Sequence, residues 1–234
     1  MKRCMKSCLA ITAFLIFTGI SGIAQDMVEK IVVYGEYPVA EELGKDAFFN
    51  REPQRGEPLI DYTSGSTIQD HALAEALHFL NANVYGYTFE YKPGSKLLET
   101  DEVFNLALRG ELEPQWVHPV GEGVRETVYR VKIELLLTPS MKRWTAAFTS
   151  NRLRFEDAEG TSDFYAGWGG RSDAYREALR NLVLVSARKQ LSSKPLVMKG
   201  DILLKGNPTF SVGAGRYYCR VEGYVNIVEV VTYD

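Results

Sequence analysis

At 234 residues with 45% hydrophobic and 12% aromatic side chains, the chain is long enough and apolar enough to bury an ordinary core, which excludes a disordered or low-complexity protein. A formal net charge of −3 with no basic run argues against nucleic acid or an anionic membrane surface as a partner. Only three cysteines are present, so a disulfide framework does not hold the fold.

Residues 1–24 read as a secretory signal peptide. Lys2, Arg3 and Lys6 form a basic start, Leu9 to Ile20 an apolar run, and Gly22-Ile23-Ala24 a small-residue cleavage site. The run is too short and too abruptly ended for a stable membrane span. Cleavage after Ala24 leaves Gln25 as the new N-terminus and moves the net charge from −3 to −6. Cys4 and Cys8 precede the apolar run instead of following it, so they do not form a lipoprotein attachment site. The mature chain keeps Cys219, whose alternating neighbours suggest a buried small hydrophobe.

Ile31-Val32-Val33-Tyr34 predicts a short strand, and residues 40–65 a loop rich in charge, proline and glycine. Ser66-x-x-Gln69 resembles a capping box opening a helix from Thr67 to about Asn83. Its apolar face is read as Leu73, Ala76, Leu77, Leu80 and Val84. The period then changes to two, and Tyr85, Tyr87, Phe89 and Tyr91 mark a strand. Further strands are predicted at Phe104–Leu108 and Tyr129–Leu137, the latter ended by Pro139. Residues 140–171 fit either a strand pair or a short helix. Ser172 caps a second predicted helix, Asp173 to about Leu191, with Arg188 and Lys189 in its last turn. Strands follow near 196–204 and 217–231.

A weak internal repeat organises these elements. Ala72-x-x-Glu75-Ala76-Leu77-x-x-Leu80 matches Ala174-x-x-Glu177-Ala178-Leu179-x-x-Leu182 at an offset of 102. Leu106-x-Leu108-Arg109-Gly110 matches Ile202-x-Leu204-Lys205-Gly206 at 96, and Arg130-Val131 matches Arg220-Val221 at 90. The expected fold is therefore α+β, with two tandem helix-strand-strand units, antiparallel sheet and one long helix packed on each unit. The units span residues 25–138, with an N-terminal strand and loop, and residues 139–234. A unit of about a hundred residues can hold its own core, which favours two lobes in contact.

Three features bear on chemistry. His71, Glu75 and His78 fall at i, i+4 and i+7, a spacing that suits a divalent metal, but the face is expected to be solvated and lacks a fourth ligand. Gly167-Trp168-Gly169-Gly170-Arg171 enters the second helix as an anion site would, without a phosphate-loop or dinucleotide pattern; Ser64-Gly65-Ser66 enters the first helix in a similar way, which favours a capping loop. The row Tyr85, Tyr87, Phe89, Tyr91 could stack on sugars if exposed, though its regular alternation suits a core. No nucleophile elbow occurs, and His71, His78 and His118 lie in no recognisable triad context. No catalytic, cofactor-binding or metal residue is assigned from sequence, and no cofactor is expected.

The helix with Ala72-x-x-Glu75-Ala76-Leu77, then Val84-Tyr85-Gly86, then Leu108-Arg109-Gly110-Glu111, then Val128-Tyr129-Arg130-Val131-Lys132-Ile133, resembles the N-terminal domain of the flagellar assembly protein T and the LPP20-type envelope proteins. The resemblance covers roughly residues 66–138 and, more faintly, 172–231, and it implies no catalytic residues. The lipobox cysteine of the lipoprotein branch is missing. The expectation is a non-enzymatic periplasmic structural or assembly protein of the bacterial envelope, with a link to the flagellum implied by the resemblance. Its expected partners are other envelope or flagellar proteins. A module binding glycans or small ligands is the competing expectation.

Overall fold

The computed structural model describes residues 29–39, 59–60, 67–95, 99–149, 153–191 and 195–232. The expected signal peptide, the loop residues 40–58 and the Ser64-Gly65-Ser66 stretch lie outside these residues. Among the described residues the elements run β1 (Lys30–Pro38), α1 (Ile68–Val84), β2 (Tyr87–Lys92), β3 (Val103–Leu108), β4 (Val117–Arg125), β5 (Val128–Leu136), α2 (Pro139–Phe148), β6 (Phe155–Asp163), α3 (Trp168–Gln190), β7 (Pro195–Leu204), β8 (Thr209–Gly213) and β9 (Arg216–Thr232). The protein is α+β. Every strand pairing is antiparallel.

The helices start where local chemistry lets them. Thr67 caps α1, with Asp70 N donating to its Oγ1 (3.1 Å) and Thr67 N donating to Asp70 Oδ2 (3.0 Å). This is a capping box one residue later than Ser66/Gln69 suggested, closed by the shorter aspartate. Pro139, expected only to stop a strand, also opens α2, where its missing N–H costs nothing. Helix α3 begins at Trp168, ahead of the expected Ser172 cap, because Ser172 is used elsewhere. Its hydroxyl accepts from the Leu59 and Ile60 amides at 3.2 and 3.3 Å.

Two sheets form. One runs β1-β5-β4; the other runs β3-β2-β7-β9-β6, with β8 also paired to β9. The second sheet crosses the expected boundary at 138/139, because β2 pairs with β7 in the register Tyr87↔Ile202 and Phe89↔Gly200. The two halves thus share one sheet, where unit length favoured two lobes in contact. Gly86, at φ +75°, makes the turn from α1 into β2, and a side chain there would collide with the backbone of Ile202.

The repeat survives in a different form. In each half, the strand before the helix pairs with the last strand, β1 with β5 and β6 with β9. In each half, a glycine on that first strand lies against the helix at an Ala-x-x-x-Ala pair, Gly35 on Ala72 and Ala76 and Gly160 on Ala174 and Ala178. Gly35 pairs with Val131 and Gly160 with Cys219. The spatial equivalent of Val131 is therefore Cys219, one pleat repeat away from the Val221 that the sequence match selected.

Helix α1 is covered on two sides, by β1 and β5 through Gly35 and by the larger sheet through Phe79, Leu80 and Tyr87. Helix α3 lies beside it on the larger sheet, with Tyr175 edge-on to Phe79 at 5.3 Å between ring centres. A helix with two covered faces buries more than one stripe. Accordingly Ala72, Glu75, Ala76, Phe79 and Leu80 are buried, whereas Leu73 and Leu77 of the expected face are half-buried.

Candidate functional site

The second covered face of α1 carries the most concentrated charge in the core. Glu75 is fully buried and Arg171, in the first turn of α3, is 5% exposed. Arg171 Nε donates to Glu75 Oε1 at 2.9 Å, and its Nη2 donates to Glu36 Oε2 at 2.9 Å. Arg130 on β5 closes the set by donating to Glu36 Oε1. Glu75 Oε2 also accepts the backbone N–H of Glu36 at 2.6 Å, and Asn207 Oδ1 accepts that of Tyr34 at 2.9 Å. These two side chains satisfy the edge of β1 facing away from β5, which a buried strand cannot leave open. The Arg171 guanidinium lies 3.5 Å from the Phe210 ring centre and 4.9 Å from that of Trp168, so its faces are packed as well. Burial alone would raise the Glu36 carboxyl, but Arg171 and Arg130 together hold it below its ordinary range.

Two carboxylates and two guanidiniums make a neutral cluster joining β1, α1, β5 and α3. The sequence carries its trace: Arg171 lies on the stripe Ala174, Ala178, Leu182, and Glu75 on the stripe Ala72, Ala76, Phe79. One charge of each sign on two otherwise small or apolar stripes is the signal that periodicity alone overlooks.

A second polar group lies beneath both helices. The Tyr87 hydroxyl is 2.8 Å from that of Tyr175 and 2.7 Å from His78 Nε2. Burial lowers the His78 pKa to about 4, so the imidazole is neutral in the folded protein at pH 7. A base whose folded pKa lies below its unfolded value supplies stability above the unfolded pKa and loses it as pH falls. We expect stability to decline between pH 6.5 and about 4, by about 2–3 kcal/mol. Urea melts across that range should show the slope in the parent and a flatter profile in His78→Gln. Loss of Glu36 ionisation follows only below the ordinary carboxylate range.

The residues singled out from sequence are not brought together as ligands. Glu75 is committed to Arg171, His78 bonds Tyr87, and the His71 ring lies 4.4 Å from that of Tyr37, so the face expected to be solvated is largely covered. His118 is on β4, exposed and remote from these groups. The glycine-rich segment is also packed: Gly167 caps α3, the Gly170 carbonyl accepts from Ser162, and Arg171 points inward to two carboxylates. It therefore has no guanidinium to offer an anion. Tyr87, Phe89 and Tyr91 are buried under the helices, and Tyr85 is no strand residue but the C-cap of α1, with its ring over Gly110. A four-ring platform on one strand does not form, because three of the rings are core and Tyr85 stands apart at the end of α1. Cys219 is fully buried on β9, and burial pushes its thiol pKa far up.

Concavities open at the surface among the described residues. A cleft of about 680 Å³ lies between β6, the start of α3 and the β8–β9 turn, lined by Asp163, Asp173 and Glu177 with Tyr165 and Arg216. A smaller pocket of about 310 Å³ is lined by Tyr85, Arg109, Ser140, Met141 and Trp144.

A model of a family of uncharacterised proteins matches residues 35–233. The chain belongs to this family. The family's matched span contains Glu36, Glu75, Arg130 and Arg171, so the whole buried cluster lies within it. It also contains both glycine–helix contacts, the His78–Tyr87–Tyr175 group and the lining of both concavities. A Treponema pallidum (strain Nichols) protein, described as an uncharacterized protein, is 25% identical over 191 residues, 78% of each chain. No solved structure matches.

Proposed function

We propose that the protein is a non-enzymatic structural or assembly component of the bacterial envelope, exported to the periplasm and working by contact with other envelope proteins. The observation that carries the reading is how its polar and apolar groups are distributed. Glu75 and Arg171, buried, and Glu36 and His78, partly buried, are tied to one another or to a core tyrosine. Apolar side chains meanwhile stand exposed along strands: Val120 and Val124 on β4, and Val228, Val230 and Val231 on the far end of β9. Exposed apolar rows on strands suit contact with another chain. The basic start, apolar run and small-residue site of residues 1–24 support export. A flagellar association is proposed on the sequence resemblance alone.

The test is photocrosslinking in intact cells from Val124 and from Val228, combined with fractionation. Specific adducts with envelope proteins in the periplasmic fraction are expected. Recovery as an uncrosslinked monomer, or in the cytoplasmic fraction, would sink the proposal. The second reading, a small-ligand module, is favoured by the two surface concavities.

A further inference from the structure

The pocket between the end of α1, the end of β3 and the start of α2 is lined by hydrogen-bond donors and apolar surface, with no carboxylate among its described lining residues. Arg109 contributes a guanidinium whose centre lies 4.5 Å from the centre of the Trp144 ring. One arm of that guanidinium meets Asp201 at 2.6 Å, which leaves the remaining N–H groups of the fork without a partner among the described residues. Ser140 belongs to the first turn of α2, where the helix dipole is positive. Trp144 Nε1 is buried without an acceptor among the described residues, an expense that proteins rarely leave standing unless something supplies one. Tyr85 and Met141 complete the pocket with an aromatic ring and a thioether.

We propose that this pocket binds a small monocarboxylate bearing an apolar, ring-sized body. The planar fork of Arg109 suits a planar carboxylate. Arg109 and Asp201 together are neutral, so a single added negative charge is better tolerated than the doubly charged form of phosphate. The aromatic and thioether walls take the apolar body. A volume of about 310 Å³ holds roughly ten non-hydrogen atoms at the ~30 Å³ that a water occupies in the liquid. The site is independent of the envelope reading, and neither depends on the other.

The test titrates phenylacetate into the mature full-length protein while following the three indole N–H resonances, with Trp144→Phe identifying the one from Trp144. Acetate and inorganic phosphate are the comparison probes. A saturable shift of the Trp144 signal is expected with phenylacetate below about 10 mM, with acetate and phosphate much weaker and Trp116 and Trp168 unmoved. Arg109→Gln should weaken binding about tenfold or more, and Arg109→Lys should fall between, since it keeps the charge and loses the fork. Asp201→Asn should strengthen binding about two- to fivefold by releasing the guanidinium. The proposal is overturned if phenylacetate produces no saturable shift, if phosphate binds as well as phenylacetate, or if Asp201→Asn weakens binding.

Discussion

Glu75→Leu is expected to cost about 3–5 kcal/mol of folding stability. Three losses coincide. Arg171, 5% exposed, would keep its charge while losing its Glu75 partner. The Glu36 amide would lose its acceptor at 2.6 Å, leaving a partly buried N–H unsatisfied. The α1–α3 contact would lose the bond that sets its register. Chemical denaturation measures the effect directly, and a cost below about 1 kcal/mol would show that the cluster does not hold these elements together. Arg171→Met alone should be comparably harmful, because it strands Glu75 at 0% exposure. The double variant should be more stable than either single one, since replacing a whole buried ion pair by apolar groups removes the desolvation cost of both.

Gly35→Ala and Gly160→Ala should each cost about 3 kcal/mol, by overpacking and not by loss of any bond. At Gly35 the new methyl would overlap the Ala72 carbonyl oxygen and approach Ala76 Cβ to 2.9 Å. At Gly160 it would overlap the backbone of Ala174 and Ala178 in the same way. Backbone on a helix cannot swing aside as a side chain can, so strand and helix must separate. Gly121→Ala on β4 is the control, because a methyl there meets nothing within 4 Å. Its effect should stay within about 0.5 kcal/mol. Equal melting curves for all three variants would refute the close strand–helix approach in both halves.

The glycine pair also shows how much was legible beforehand. The Ala-x-x-Glu-Ala-Leu match identified the two equivalent helices, and Gly35 and Gly160 sit on the strands just before them. The strand match drifted by two residues because every second position of a half-buried strand looks alike. Residues 140–171 stayed ambiguous since Trp144 to Phe155 contains both the end of an amphipathic turn and the start of an alternating strand. The candidate site was hidden for another reason. A helix that buries one stripe would leave Glu75 on a solvated face, but α1 is covered by two sheets.

Local and periodic information was therefore enough for the α+β class, the two long helices, most strand positions and the burial of Cys219. These follow from hydrogen-bond capping and from the periods 3.6 and 2, which are written in consecutive residues. Only the tertiary structure decided that β2 pairs with β7, that Glu75, Glu36, Arg130 and Arg171 neutralise one another, and that Arg109 meets Trp144 beside an open pocket. Each joins residues far apart in the chain, and pairing across such distances is set by which faces the packing leaves to be covered. A sequence displays those faces one element at a time, and it does not say which two will meet.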